Sequence, residues 1–310
     1  MVGRADRGGL RLACGQGGSH GLRAAAASGA ALVVSPLLVR SARDGRTGRS
    51  IAFNPAEAGW DYIGLEVHSL GPGDRIQRPG DERELAVVLV EGGAALRVQQ
   101  RELGTLGGRR ALSAGGLPGV AVIGPGQDLS VTATSDACVV LASAPGGPVR
   151  DTRIVAEGEM RVEERGDGPT ARRVQHLLPP DAVAGRLILV EVFTPAGNWS
   201  SYPPHKHDTE DPPNEALLEE TYFYRFADPR GFALQRIYTA DRLLDETIAA
   251  NDGDVVLVPR GYHAVAAAPG YDCYYLNVMA GPARRWNFTT DPDHAWLMNW
   301  DPTLGRGAPR

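Results

Sequence analysis

The sequence predicts an all-β chain built from two similar halves, and three observations carry that prediction. Gly 39 and Pro 23 among 310 residues punctuate the text too often for long helices and leave short elements between tight turns. Residues 61–70, 84–93, 186–197 and 273–281 are β-branched or alternating runs, part of a series that recurs at roughly ten-residue spacing, as in a sandwich or barrel. The third observation is an internal repeat. Glu66-Val67 leading into Gly71-Pro72-Gly73 is echoed by Glu191-Val192 leading into Pro195-Ala196-Gly197. Residues 122–126 followed by 138–141 are echoed by residues 257–261 followed by 273–276.

Taken in order, residues 1–48 are rich in Arg, Gly, Ala and Ser and read as a disordered extension. Their longest apolar stretch, residues 24–39, is broken by Ser28, Gly29, Ser35 and Pro36 and is too short to span a bilayer. The basic start and alanine-rich run resemble a targeting peptide, yet no clean small-x-small cleavage site follows. Residues 49–160 form the first barrel and residues 161–310 the second, joined through the polar stretch 143–170, where SAPGGPVRD and EERGDGPT carry loop chemistry.

Charge and cysteine usage exclude several classes. The formal net charge is −5, and the first fifty residues hold eight Arg against Asp6 and Asp44, so the remainder of the chain is strongly acidic. An acidic body gains no bulk attraction for nucleic acid, and neither a nucleic-acid nor a membrane partner is expected. Cys14, Cys138 and Cys273 are odd in number and form no C-x-x-C pair, which excludes a disulfide framework. Cys138 and Cys273 sit in apolar runs and read as buried small hydrophobes in a reducing cytoplasm.

The chemistry concentrates in the second half, which holds His205, His207 and His263 among only seven histidines. Residues two apart on a strand share a face, so His205 and His207 present two imidazoles together while Lys206, the chain's only lysine, points away toward the surface or an interface. The turn Pro259-Arg260-Gly261-Tyr262-His263 ends one strand and starts the next, and it sets His263 inward. Glu219-Glu220 heads a run in which alternation puts Glu220, Tyr222 and Tyr224 on one face. Three imidazoles and one carboxylate suit a divalent ion such as Mn²⁺, Fe²⁺, Ni²⁺ or Zn²⁺. Twelve residues separate His207 from Glu220, so Glu219, Glu215 and Asp208 stand as alternative carboxylates.

H-x-H, a later Glu and P-x-G-x-H within one β-rich repeat resemble the metal-binding motifs of the cupin superfamily, whose two-repeat members are bicupins. The fold this implies is two tandem double-stranded β-helix, or jelly-roll, barrels. Longer strings narrow the likeness: FNPAEAGW (53–60), GNWSSYPPHKHD (197–208), LEETYFYRF (218–226), DGDVVLVPRGYH (252–263) and YLNVMAG (275–281) resemble the 5-deoxy-glucuronate isomerase family of inositol catabolism, over residues 50–300. A neighbouring branch acts on 5-keto-4-deoxyuronate from pectin. The resemblance implies an aldose–ketose isomerase that converts 5-deoxy-D-glucuronate to 5-dehydro-2-deoxy-D-gluconate through an ene-diol. It implies one divalent metal, Zn or Mn before Fe or Ni, held by His205, His207, Glu220 and His263. Tyr222, Tyr238 and Glu219 are the expected catalytic residues, alongside metal-bound water as a proton carrier. Arg236 and Tyr224 are the expected substrate contacts, Arg236 because it shares an alternating face with Leu234 and Tyr238 while Arg225 falls opposite Tyr224.

The first half lacks the ligands. Asp128 or Leu129 stands at the place of His263, residues 78–98 contain no H-x-H, and His68 reads as an ordinary strand histidine. That half is assigned a structural or dimer-forming role, and uncovered strand edges make a homodimer or higher homo-oligomer the expected state. The five tryptophans, Trp60, Trp199 and Trp296 among them, are expected in the core. Two competing readings use the same frame: a ferrous cupin dioxygenase with these four ligands, and a non-catalytic sugar-binding bicupin, against which the intact motifs argue.

Overall fold

The computed structural model describes residues 35–42, 48–147, 151–182 and 184–300. Four antiparallel sheets make up the architecture. A six-stranded sheet runs in the order Arg153–Ile154, Gly119–Ile123, Arg83–Glu91, Ala137–Pro145, Gly64–Leu70 and Arg49–Phe53, and a four-stranded sheet in the order Arg75–Arg78, Leu129–Ala133, Ala94–Val98 and Arg101–Leu106. Together they enclose the first barrel.

The second barrel repeats the plan. Its seven-stranded sheet orders Leu38–Val39, Val255–Val258, Glu219–Phe226, Cys273–Ala280, Ile188–Thr194, Arg172–Leu178 and Arg161–Arg165. Its five-stranded sheet orders Asp245–Asn251, Phe232–Tyr238, Tyr262–Ala267, Trp199–Lys206 and Thr289–Thr290.

Alternation explains why the central strands read as unbroken apolar runs. In Arg83–Glu91, Leu85, Val87 and Leu89 fill the first barrel, while Ala86, Val88 and Val90 face the other way into a core shared with the second barrel. A strand buried on both faces must be hydrophobic at both parities. Cys273–Ala280 behaves alike, with Tyr275 and Met279 inside the second barrel and Tyr274, Leu276 and Val278 in the shared core. The barrels therefore meet across their two larger sheets.

Charged side chains fasten that apolar contact symmetrically. Glu84, heading its central strand in the first barrel, accepts the backbone N–H groups of Gly185, Arg186 and Leu187 at 2.7, 2.5 and 2.8 Å. Glu219, at the matching place in the second barrel, accepts those of Asp61, Tyr62 and Ile63 at 2.7, 3.0 and 2.8 Å. Arg109 of the first barrel forks onto Glu191 of the second at 2.7 and 2.6 Å, and Tyr274 adds a third donor at 2.9 Å. Both partners are fully buried. Burial opposes the charge on Arg109, but the hydrogen bond and charge of Glu191 outweigh it and raise its pKa.

Two expectations are corrected here. Residues 35–42 of the presumed extension are ordered: Leu38 and Val39 pair with Val256 and Val255, Leu37 is buried, and Arg40 bonds Asp254 at 2.5 Å. The cause is the edge of the seven-stranded sheet, where Val255–Val258 presents open backbone groups that this segment covers. Residues 1–34 and Cys14 lie outside the described residues. The tryptophans divide: Trp199 and Trp296 are 41% and 38% exposed, while Trp60 and Trp286 are partly buried against the core. Cys138 and Cys273 are buried free thiols, as expected. Among the described residues no helix is long and apolar enough to cross a membrane.

Candidate metal centre

The H-x-H and P-x-G-x-H motifs meet across one strand pair. His205 sits directly opposite His263 in the register of Trp199–Lys206 against Tyr262–Ala267. The intervening loop 208–218 folds back so that the Leu218 N–H bonds the His207 carbonyl at 2.9 Å, which returns the chain beside His207 just as Glu219–Phe226 begins. The candidate ligand atoms of His205, His207 and His263 all lie within 4.8 Å of one another. Glu220 Oε2 is 3.0 Å from His207 Nε2 and 3.1 Å from His263 Nε2.

Backbone carbonyls set the imidazole tautomers. Nδ1 of His205, His207 and His263 lies 3.3, 3.1 and 3.1 Å from the carbonyls of Pro203, Leu218 and Gly261. A carbonyl only accepts, so each Nδ1 carries hydrogen and each Nε2 is turned toward the common centre. Nε2 of His263 is buried with no aligned hydrogen-bond partner. A buried, partnerless imidazole nitrogen converging with two further imidazoles and a carboxylate fits a divalent cation.

The other carboxylates near the motifs are committed to scaffolding. Asp208 accepts the Gly261 N–H at 2.8 Å, which ties the P-x-G turn to the H-x-H strand. Lys206 bonds Asp208 at 2.6 Å and Glu215 at 2.8 Å, and Glu215 accepts the N–H groups of Asp208 and Thr209, each at 2.9 Å. Lys206 is thus half-buried in an ionic knot facing away from the centre. Gly261 has φ of 90°, and a Cβ there would come within 2.5 Å of the Tyr238 carbonyl, so only glycine fits the turn. With Asp208, Glu215 and Glu219 engaged elsewhere, Glu220 is the carboxylate at the centre.

Electrostatics favour a neutral His205 and an ionised Glu220, as a metal requires, while the Glu220 carboxylate draws a proton toward His207, which a cation would displace. Burial pushes the His205 pKa down to about 3, helped by the neighbouring His263 and His207. Burial opposes charge on Glu220, yet the His207 hydrogen bond and the adjacent His263 imidazole outweigh it and hold the carboxyl well below its usual range. Burial likewise opposes protonation of His207, and here the Glu220 hydrogen bond prevails and raises its pKa.

A cavity of about 380 Å³ opens onto this cluster through His205 and Glu220, with Arg172, Tyr202, Asn277, Trp286, Phe288 and Trp300 on its walls. Phe288 packs on His205 with ring centroids 4.7 Å apart. The strand loses register between Ser200 and His205, and Ser201 takes a φ of 50°. That bulge lets two consecutive residues, Ser201 and Tyr202, both face the cavity.

Of the remaining expected site residues, the structure brings only Tyr222 close. Its hydroxyl meets Ser201 Oγ at 2.8 Å behind the cavity wall, and burial pushes its pKa well up. Tyr224 lies deeper and donates to Gln235 at 2.8 Å. Tyr238 donates to Asp291 at 2.6 Å and pins the segment before the terminal turn rather than facing the cavity. Glu219 points to the barrel interface because adjacent strand residues alternate sides. Arg236 is corrected as well: it lies on the exposed outer face, forked onto Asp245 at 2.9 Å twice. The cavity-lining Arg172, Trp286 and Phe288 were not anticipated. An aromatic pair just past the last long strand was a usable signal for Trp286 and Phe288, whereas Arg172 comes from a distant strand with no local mark.

Two tandem cupin barrels, one with a three-histidine, one-carboxylate centre, define the class of this protein as a bicupin with a candidate metal site in its second barrel. The model of the KduI/IolB family matches residues 37–297, and the chain belongs to that family. It is 42% identical over 266 residues to the 5-deoxy-glucuronate isomerase of Geobacillus thermodenitrificans (strain NG80-2), covering 86% of this chain and 97% of that one. It is 38% identical to the 5-deoxy-glucuronate isomerase of Bacillus subtilis (strain 168) over 238 residues, 76% of this chain and 88% of the relative. An IolB-like protein from Salmonella typhimurium LT2 superposes with a TM-score of 0.81 at 42% identity, covering 84% of this chain and 99% of its own. Oxalate decarboxylase of Lactobacillus farciminis shares the fold, with a TM-score of 0.59 at 11% identity over 87% of this chain and 92% of that one.

Proposed function

We propose that this chain is an aldose–ketose isomerase converting 5-deoxy-D-glucuronate to 5-dehydro-2-deoxy-D-gluconate, with one divalent metal ion, zinc or manganese, held by His205, His207, Glu220 and His263. One observation carries the reading: three imidazoles, each fixed by a backbone carbonyl, aim Nε2 at one point beside Glu220 on a cavity wall. Relatives of that name at 42% identity over nearly their full length support the substrate.

Isomerisation moves a proton between adjacent carbons while charge develops on two neighbouring oxygens. A bound divalent cation supplies Lewis-acid stabilisation of that charge. The chain's own residues do the rest. Trp286 and Phe288 give the cavity apolar walls, and the Ser201 hydroxyl, backed by the neutral Tyr222 hydroxyl, presents an O–H pair where a proton must be held.

The reading includes the cytoplasm, in keeping with the free thiols of Cys138 and Cys273. It includes a homo-oligomer, for which Trp199, Phe232 and Leu234, exposed on strands of the five-stranded sheet, offer apolar surface. Metal analysis of the purified protein coupled to turnover tests the central claim. Conversion of 5-deoxy-glucuronate with about one equivalent of metal is expected. Turnover restricted to 5-keto-4-deoxyuronate, or oxygen uptake during reaction, would overturn it.

A further inference from the structure

We propose that Arg172 receives the substrate's carboxylate and so selects a sugar acid over a neutral sugar. This deepens the isomerase reading and rests on it for the identity of the substrate. Arg172 opens Arg172–Leu178, is only 9% exposed, and lines the same cavity as His205 and Glu220. Its two hydrogen bonds go to carbonyls: Nη1 donates to Thr170 at 2.9 Å and Nη2 to Tyr202 at 3.1 Å.

Among the described residues no carboxylate lies within ion-pair distance of it. The other guanidinium on the cavity wall, Arg165, is already paired with Glu163. Asp167, which also lines the cavity, makes no ion pair with Arg172. A guanidinium has five N–H donors, and two carbonyls leave three for a ligand. Burying that charge without a counter-ion is costly, and a bidentate carboxylate is the partner its planar fork fits.

The seat is built for the side chain. Gly166 has φ of 74°, and a Cβ there would stand 2.6 Å from Arg172 Nη1 and 2.4 Å from the Thr170 carbonyl. The loop 166–170 thus closes around the guanidinium only because residue 166 is glycine. Arg236, the guanidinium favoured by strand alternation alone, is spent on Asp245 at the outer surface.

The test compares the full-length protein with Arg172→Gln, Arg172→Lys and Gly166→Ala. Binding of D-glucuronate and of D-glucose is followed by quenching of tryptophan fluorescence, since Trp286 and Trp300 line the cavity; no turnover is needed. Arg172→Gln is expected to weaken glucuronate binding on the order of 100-fold while moving glucose by less than about twofold. Arg172→Lys should fall between, because an ammonium keeps the charge without the fork, and Gly166→Ala should resemble a milder Arg172→Gln. Equal losses for both sugars, unchanged glucuronate binding, or no preference for glucuronate in the unaltered protein would overturn the proposal. Turnover of 5-deoxy-glucuronate separates the two readings. If the unaltered protein converts none of it while Arg172→Gln still loses glucuronate selectively, the isomerase reading fails and the carboxylate site stands. If conversion proceeds at unchanged KM in Arg172→Gln, the reverse holds.

Discussion

In the first barrel Leu85 pairs with Ile123 and Leu129 with Arg78; at the matching strand positions of the second, Glu220 pairs with Val258 and His263 with His205. The frame is the same, down to Glu84 and Glu219, which sit one residue before Leu85 and Glu220 and clasp the opposite barrel. The contents differ. Leu85 and Leu129 join the apolar interior of the first barrel at 5% and 1% exposure, and each contributes about 1.5–3 kcal/mol through burial. The second barrel gives up that contribution and buries a carboxylate and an imidazole instead, groups that cost free energy unless paired. One barrel is thus optimised for cohesion, and the other surrenders cohesion to bring together four side chains that could hold a metal.

The largest effect should come from His263→Ala, which removes a proposed ligand found only in the second barrel. Turnover should fall on the order of 1000-fold or more, with bound metal lost in elemental analysis and the far-UV circular dichroism unchanged. Retained metal and turnover would place the centre elsewhere. Next in size is Arg109→Ala, which leaves the Glu191 carboxyl buried between the barrels without its cation, where burial already raises its pKa. Denaturant unfolding should show a loss of about 3–5 kcal/mol, and a loss below 1 kcal/mol would mean that the shared apolar core alone holds the barrels together.

Converting the second barrel toward the first is the sharpest comparison. Glu220→Leu with His263→Leu should abolish turnover yet leave the metal-free protein as stable as before, or more stable by about 1–4 kcal/mol. Destabilisation of the metal-free form would show that the polar set is already favourable by itself. Smaller and symmetrical effects are expected from Glu84→Gln and Glu219→Gln. Each should cost about 1–3 kcal/mol by leaving backbone N–H groups poorly paired, and Glu219→Gln should keep most of its turnover. A selective collapse of activity in Glu219→Gln would return that residue to the chemistry. Smallest of all is Arg236→Gln, whose exposed pair with Asp245 is worth less than about 1 kcal/mol; steady-state kinetics should be unaltered.

The candidate metal centre was legible because its geometry is local. Strand period places His205 and His207 on one face, and the Gly261 turn fixes His263, whatever the rest of the chain does. Alternation separates Glu219 from Glu220 with the same certainty. It does not say which face is inside. On Phe232–Tyr238 the apolar Phe232 and Leu234 face out, at 39% and 43% exposure, while Gln235 is buried. Gln235 is tolerated there because its carbonyl accepts the Tyr224 hydroxyl, a partner supplied by another strand. Arg236 was therefore placed on the wrong side by a rule that sorts residues into two sets without naming either.

By itself the sequence determined what short-range geometry controls: strands and turns, the duplication, the imidazole pair, the glycine-bearing turn and the parity of Glu220. Tertiary structure alone decided what depends on sheet order and on contact between barrels. It brought Arg172 from a strand more than thirty residues upstream of His205 to the cavity. It turned Glu219 into a clasp, tied Tyr238 to Asp291, and recruited Leu38–Val39 to cover an open edge. These outcomes follow from which backbone edges and polar groups lack partners once the sheets have formed, and linear spacing carries no information about that.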